Sequence, residues 1–274
     1  MRPTELLADW QAWGLAAEPE IVEQFTAGQN HQTSLIKSAG EFWVLKQFSH
    51  SFDVAVSAQH WAAKLGLAPE IHFAKDNLAV MAYQESITFS DQHVALLAQA
   101  LRTLHTTPAS ASFARFDLLD FCQQYLSSLE GSLGEQAAAI HASLMPALDY
   151  FTQDPTPWCV CHNDLVTSNC LLESDRVWFI DWEYAMLHNP WFDLASIVLY
   201  FGLDAEQSSR FLKHYHPDWE AKKSTPIFIA AQIALLWGDL TWHLSKYGDD
   251  YLAANPTRFA QLADLNARFK SLAT

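Results

Sequence analysis

The chain has little positive charge. It carries 16 Lys and Arg against 31 Asp and Glu, a formal net charge of −15. A nucleic-acid partner is therefore not expected, because affinity for a phosphate backbone depends on clustered Lys and Arg. The acidity is compatible with a cationic substrate, although it could equally serve only to keep the surface soluble. With 50% hydrophobic and 17% charged residues, the composition predicts a compact globular protein.

Long apolar runs are also missing. The most apolar segment, residues 227–238, is about a dozen residues long and contains Gln232, so it is too short to cross a bilayer. Residues 1–20 have no apolar core behind a basic start, so no secretory signal is expected. We therefore expect no membrane partner, and the sequence does not indicate an oligomeric state.

Cysteine is scarce and shows no pairing pattern. The four cysteines form no CxxC framework, and a reducing cytoplasm is the simplest compartment for them. Cys159, Cys161 and His162 could offer soft ligands to a metal ion, but buried strand thiols explain the two cysteines better.

The order of hydrophobic patterns predicts an α+β protein. The first third alternates strand-like pieces with one helix, whose apolar residues recur at i, i+4, i+7 and i+8. The remainder is mostly helical. The predicted strands are residues 20–26, 33–37, 42–48, 70–74 and 78–81, and the predicted helices are 53–65, 91–104, 116–129, 136–150, 192–201, 205–215, 226–247 and 256–272.

One segment of the C-terminal half has a pattern typical of phosphoryl transfer. Asp164 is followed five residues later by Asn169, and Asp181 comes twelve residues after Asn169. Kinases use this arrangement because an Asp can accept a proton from the attacking hydroxyl, while amide and carboxylate oxygens are the hard ligands that Mg²⁺ prefers. Two short apolar runs, residues 170–173 and 177–180, predict a hairpin that brings Asn169 and Asp181 close together.

Residues 161–169 and 180–185 resemble the motifs of the aminoglycoside phosphotransferase and choline kinase superfamily, small-molecule relatives of protein kinases. The similarity runs from about residue 25 to residue 269. The sequence DWEYA at 181–185, followed by PWFDLA at 190–195, is similar to the branch of choline, ethanolamine and thiamine kinases. The sequences GLAPE at 66–70 and LRTLH at 101–105 match the same branch.

The resemblance implies a two-lobed, protein-kinase-like fold. A small antiparallel-sheet N-terminal lobe, residues 1–82, would bind the nucleotide. A mostly helical C-terminal lobe, residues 83–274, would hold the catalytic residues and the substrate. The resemblance also implies ATP and Mg²⁺ as cofactors and a small cationic alcohol as substrate.

The resemblance further assigns roles to individual residues. Asp164 would be the catalytic base, Asn169 and Asp181 the Mg²⁺ ligands, and Lys46 the lysine that holds the ATP phosphates. The other assignments are Gly28, Asn30, Met81 and Tyr83 to ATP binding, Glu183, Trp237 and Trp242 to the substrate, and His162 and Asp193 to support of the catalytic loop. The competing interpretations are a solvated strand lysine, a Glu183 that faces the metal ion instead of the substrate, a helix N-cap at Asp193 and simple packing of either tryptophan.

Two features depart from the family pattern. The phosphate-loop segment has a single glycine, Gly28, where the family is richer in glycine. The helix acid that pairs with the strand lysine is expected near Ala55, but no Glu lies in this helix. Asp53, Gln59 or another group would then have to orient Lys46.

Three functions are consistent with these residues. The first is an ATP-dependent kinase that phosphorylates the primary hydroxyl of choline or ethanolamine, with thiamine close behind. The second is an aminoglycoside or other sugar-hydroxyl phosphotransferase, because the fold does not discriminate these substrates. The third is a catalytically weak nucleotide-binding module, which would explain why the helix Glu is missing and why glycine is sparse in the phosphate loop.

Overall fold

The computed structural model describes residues 7–25, 31–109, 113–216 and 221–273. The strands are β1 (Glu20–Phe25), β2 (Gln32–Ser38), β3 (Glu41–Gln47), β4 (Ile71–Lys75), β5 (Leu78–Ala82), β6 (Cys159–Cys161), β7 (Cys170–Leu172), β8 (Val177–Phe179) and β9 (Met186–His188). The helices are α1 (Phe52–Lys64), α2 (His93–Thr106), α3 (Leu118–Leu126), α4 (Gly131–Thr152), α5 (Trp191–Tyr200), α6 (Ala205–Tyr215), α7 (Ala221–Ala254) and α8 (Pro256–Leu272). The predicted α+β fold, an antiparallel sheet followed by a mostly helical remainder, is confirmed.

Packing divides the chain into two compact units. The sheet unit comprises Met1–Phe113 and Asp164–Ala185, and the helical unit comprises Ala114–Asn163 and Met186–Thr274. The predicted boundary between residues 82 and 83 is not where the contacts divide. The reason is that α2 and the hairpin β7–β8 pack in the sheet unit, where α2 lies against β8.

A five-stranded antiparallel sheet in the order β1-β2-β3-β5-β4 forms the body of the sheet unit. Two hairpins of this sheet close through pairs of residues with positive φ. Ala39 (φ 51°) and Gly40 (φ 94°) join β2 to β3, and Asp76 (φ 53°) and Asn77 (φ 65°) join β4 to β5. Two-residue turns with positive φ match the right-handed twist of paired strands, which explains why these short links fix the strand register.

The sheet has an apolar cluster on each face. One cluster is built from Trp13, Ile36, Leu45 and Val80, and the other from Phe48, Ala55, Ala79 and Met81. Helix α1 covers the second face and ends at Lys64. The left-handed Gly66 (φ 71°) then turns the chain, and the Leu67 N–H donates to the Ala62 carbonyl at 3.0 Å. Lys46 shares the α1 face with Phe48, because side chains alternate along a strand.

The predicted hairpin after the catalytic motif is confirmed. Strands β7 and β8 pair antiparallel, with Cys170 opposite Phe179. Asn169 directly precedes β7, and the Ile180 N–H beyond β8 donates to the Asn169 carbonyl at 3.0 Å. The hairpin therefore places the backbones of Asn169 and Asp181 next to one another.

Helix α7 is the core of the helical unit and packs against α3, α4, α5 and α8. Its segment Thr225–Ala254 is long and apolar enough to cross a membrane, with a mean hydropathy of 1.3. However, 83% of the most apolar 18-residue stretch of this segment is buried inside the structure. Such burial is that of a core helix. The regular helix is interrupted at Gly248 (φ 59°, ψ −142°), directly after the predicted end at residue 247.

Candidate active site

Asp181 lies in a strained turn and binds Lys46. Its backbone is left-handed (φ 67°, ψ 65°), a conformation that non-glycine residues rarely adopt. Its Oδ1 accepts a hydrogen bond from Lys46 Nζ at 2.6 Å, and the lysine side chain is only 10% exposed. The indole N–H of Trp182 donates to the Phe179 carbonyl at 2.9 Å, which fixes the turn to the end of β8. Surrounding structure thus holds a carboxylate in a strained position beside the strand lysine, as functional sites often do.

The partner of Lys46 is not the helix residue that the sequence suggested. Ala55, at the expected position of the helix acid, is buried in the apolar cluster beside Phe48. Gln59 is also buried, and its amide donates to the Pro69 carbonyl at 3.0 Å. Asp53 lies exposed in the first turn of α1. Asp181 therefore orients Lys46, which answers the question that the missing Glu raised.

Asp164 and Asn169 are joined by their side chains. The amide nitrogen of Asn169 donates to the backbone carbonyl of Asp164 and to its Oδ2, both at 2.9 Å. Since a carboxylate oxygen and a carbonyl only accept, the nitrogen of Asn169 must face Asp164 and its oxygen must face elsewhere. The amide oxygen, which is the atom a Mg²⁺ ion would bind, is thereby directed by the Asp164 contact.

Glu183 lies two residues after Asp181 and is 6% exposed. Its Oε2 is 2.9 Å from His31 Nε2 and 3.3 Å from His50 Nδ1. The sequence assigned no individual role to either histidine, although His31 is the last residue of the predicted phosphate-loop segment, residues 27–31.

The remaining residues predicted to bind ATP are less informative. Met81 is buried in the cluster beneath α1, and Tyr83 is partly exposed just beyond β5. Gly28 and Asn30 lie outside the described residues. A role in nucleotide binding stays a prediction for all four.

Within the helical unit, Asp193 binds the backbone of the catalytic motif. This fully buried carboxylate accepts the N–H of His162 at 2.8 Å and the N–H of Asn163 at 2.9 Å. Asn163 has a left-handed backbone (φ 65°), and its side-chain oxygen lies 2.9 Å from His188 Nδ1. His162 is itself fully buried. The two residues that precede Asp164 in the chain are thus held by one carboxylate.

The two tryptophans of α7 have different environments. Trp237 is 0% exposed, and its indole N–H donates to His141 Nδ1 at 2.9 Å. A fully buried ring with an internal partner is a packing residue, so the assignment of Trp237 to the substrate is not supported. Trp242 is partly exposed, and Lys246 Nζ lies 4.6 Å from the centre of its ring. Its substrate role stays a prediction.

An ion pair offsets the charge of Asp239 on α7. Asp239 Oδ2 lies 2.6 Å from Arg258 Nη1, and the same nitrogen donates to the Tyr251 hydroxyl at 3.0 Å. The carboxylate charge raises the pKa of Arg258 against the opposing effect of burial. Asp239 is therefore a poor anchor for a cationic ligand.

Comparisons with known proteins agree with these features. The chain matches the sequence profile of the phosphotransferase enzyme family over residues 21–223. It is 27% identical over 205 residues to Protein LicA of Haemophilus influenzae, covering 69% of this chain and 60% of that protein. It is 25% identical to mouse Ethanolamine kinase 2 over 53% of this chain and 42% of that protein. The chain thus spans less than two thirds of the length of both relatives.

A solved structure shares the fold. The crystal structure of choline kinase LicA from Streptococcus pneumoniae superimposes with a TM-score of 0.71 and 20% sequence identity, covering 90% of this chain and 95% of that chain. This likeness establishes a kinase-like fold.

Replacing Asp193 by Asn is expected to destabilise the protein. An amide oxygen can take over one of the two backbone N–H groups of His162 and Asn163, but the amide nitrogen cannot accept the other. Leaving one buried donor unpaired costs about 2 kcal/mol. Urea unfolding should show this loss, whereas Asp175→Asn, at an exposed turn residue, should leave the midpoint unchanged. Equal midpoints for Asp193→Asn and the wild type would contradict the bracing role.

The stability of the protein should decline in acid through His188. Burial lowers the pKa of His188 to about 4, and the nearby Asp193 charge opposes this only in part. The unfolded chain, with a His pKa near 6.5, binds more protons between these values, so stability is complete above about pH 6.5 and falls towards pH 4, by about 3 kcal/mol. The free energy of unfolding, measured at several pH values from 7 to 4, should fall less steeply with decreasing pH for His188→Asn than for the wild type. Equal slopes for the two proteins would contradict the assignment.

Proposed function

Because the chain belongs to the phosphotransferase enzyme family, we propose that it is an ATP- and Mg²⁺-dependent kinase for the primary hydroxyl of a small cationic alcohol. Choline or ethanolamine is the first candidate and thiamine the second. The observation that carries the proposal is the constellation in the sheet unit. Lys46 contacts Asp181 at 2.6 Å, and Asn169 contacts Asp164 at 2.9 Å.

The donor set fits a magnesium-bound nucleotide. Asn169 and Asp181 offer amide and carboxylate oxygens, which are the ligands that Mg²⁺ prefers, and neither sulfur nor imidazole is required. Bound there, the ion would supply charge neutralisation at the transferred phosphoryl group. Lys46, with its ammonium held beside Asp181, would hold phosphate oxygens of ATP. Little covalent chemistry is needed from the protein, so positioning and charge determine the rate.

Asp164 is the proposed base. The hydroxyl oxygen of the alcohol attacks the γ-phosphorus of ATP, the bond from that phosphorus to the β,γ-bridging oxygen breaks, and the hydroxyl proton passes to the Asp164 carboxylate. The Asn169 amide, which donates to Asp164 Oδ2 at 2.9 Å, fixes the rotamer of the base. Positioned proton transfer of this kind contributes about 10²- to 10⁴-fold to the rate.

The cationic substrate class is supported by three observations. The relatives include proteins named ethanolamine kinase, and one of the solved structures with the same fold is named choline kinase. The net charge of −15 favours cations. Glu183 is a carboxylate close in sequence to Asp181 and, unlike Asp239, its charge is not offset by an arginine.

The other two functions have less support. An aminoglycoside or other sugar-hydroxyl kinase would use the same catalytic residues, but no observation in the structure favours it. The catalytically weak module was motivated by the missing helix Glu and by the sparse glycine of the phosphate loop. The contact between Lys46 and Asp181 answers the first motive, because the lysine is oriented without the helix.

The substrate class can be tested with a neutral isostere. ADP release in the presence of Mg²⁺ should rise with choline, ethanolamine or thiamine. For choline, kcat/KM should exceed that of 3,3-dimethylbutan-1-ol, which replaces the ammonium nitrogen by carbon, by about tenfold or more, since a desolvated cation contributes about 1.4 kcal/mol or more. Kanamycin should be a poor acceptor. A protein indifferent to all three alcohols, or one that prefers kanamycin, would overturn the substrate class.

The base can be tested by removing its charge. Asp164→Asn should lower kcat by about 10²-fold or more, because an amide cannot accept the hydroxyl proton. Binding of ATP should survive, seen as unchanged thermal stabilisation by the nucleotide. Asp175→Asn serves as the matched control at an exposed position of the hairpin turn. Turnover of Asp164→Asn close to the wild-type rate would show that another group accepts the proton.

A further inference from the structure

A buried histidine contacts the acidic turn that follows β8. His31 lies one residue before β2, and its side chain is 4% exposed. Its Nε2 is 2.9 Å from Oε2 of Glu183, which is 152 residues away in sequence and 6% exposed. Both residues belong to the sheet unit. The contact ties the start of β2 to the short turn that also carries Asp181.

The proton of His31 can be placed from its two neighbours. The backbone N–H of Ser49 donates to Nδ1 of His31 at 3.2 Å, so Nδ1 acts as an acceptor and carries no proton. The neutral ring must then carry its proton on Nε2. That N–H points at Glu183 and donates to its carboxylate. The ring is packed against Phe48, with centroids 5.0 Å apart, so the donor has a fixed direction.

The same contacts explain why this cluster is not assigned to a metal ion. His31, His50 and Glu183 bring three possible ligand atoms within 4.8 Å of one another. A metal ion would need the lone pair of Nε2 on His31, but the proton occupies that position while Ser49 donates to Nδ1. A ring that accepts from Ser49 through Nδ1 and donates to Glu183 through Nε2 accounts for both neighbours.

We propose that His31 is a positioning residue: its Nε2–H holds the carboxylate of Glu183 in the orientation that receives the cation of the alcohol. This rests on the proposed function, in which Glu183 contacts the substrate. A neutral imidazole suits the task, because it satisfies one carboxylate oxygen without cancelling the negative charge. His31 acts through Glu183 and does not itself touch the substrate.

The first test separates the donor from the volume of the ring. His31→Gln keeps an N–H donor at a similar reach, whereas His31→Leu keeps bulk and loses the donor. We expect His31→Leu to lower kcat/KM for the alcohol by about tenfold or more and His31→Gln to stay within about threefold of the wild type. The matched controls are His60→Gln and His60→Leu on the exposed face of α1, which should not differ. Equal losses for the two His31 variants would overturn the proposal.

The second test asks whether His31 acts through Glu183. In a double-mutant cycle, His31→Leu should add little to the loss caused by Glu183→Gln, because the group it positions has already lost its charge. Additive losses would show that His31 acts elsewhere, and the proposal would fall.

The third test does not depend on turnover. Long-range ¹H–¹⁵N spectra of the ¹⁵N-histidine-labelled protein should show His31 as the Nε2–H tautomer, assigned by its absence in His31→Gln. An Nδ1–H tautomer, or one-to-one binding of Zn²⁺ alone that His31→Gln abolishes, would overturn the proposal. A wild-type protein without activity on any alcohol would instead overturn the proposed function, while the tautomer would still report on the contact.

Discussion

The ion pair between Lys46 and Asp181 is the interaction on which the candidate site depends. It joins β3 to a turn 135 residues later in the chain, and Asp181 makes the contact from a left-handed backbone. Asp tolerates that conformation better than bulky residues do. The restraint comes from the hairpin, where the Ile180 N–H is bonded to the Asn169 carbonyl. The side chains of the site therefore depend on a backbone geometry that the short strands β7 and β8 impose.

The parts of the site that are local in sequence can be predicted from the sequence. The hairpin between Asn169 and Asp181 is one example, because two apolar runs around a polar turn have few other ways to fold. The partner of Lys46 is not predictable in this way. It depends on which residue of α1 faces the sheet, and Ala55 occupies that place without a charge. His31 and Glu183 are also far apart in sequence, and no periodic pattern predicts their contact. Trp237 shows the opposite error, a predicted binding residue that is buried in the core, because aromatic content alone does not distinguish a packing ring from a binding ring.

Four carboxylates of the protein differ in how their charge is balanced. In the sheet unit, Asp181 is met by an ammonium group, while Glu183 is met by the imidazoles of His31, whose Nδ1 accepts from Ser49, and His50. In the helical unit, Asp239 is met by a guanidinium, while Asp193 is met by two backbone N–H groups. Neutral donors hold a carboxylate without cancelling its charge. Among these four, Glu183 is paired with no lysine or arginine in the part of the chain that the structure describes, and Asp193, which backbone N–H groups hold, is fully buried. Under the proposed function, Glu183 is the one of these four carboxylates that would meet the cation of the substrate.

The loss of the helix acid changes what aligns the strand lysine. In the family pattern, a Glu on the helix holds the lysine independently of the metal ligands. Here Lys46 is held by Asp181, which is itself the proposed Mg²⁺ ligand, and the contact uses Oδ1 alone. Asp181 would then serve both the lysine and the metal ion, so both would depend on the orientation of one carboxylate. The apolar cluster around Ala55 then needs no buried charge, which spares α1 the cost of desolvating an acid. Under the proposed function, the lysine and the metal ion would in this way be coupled through a single side chain.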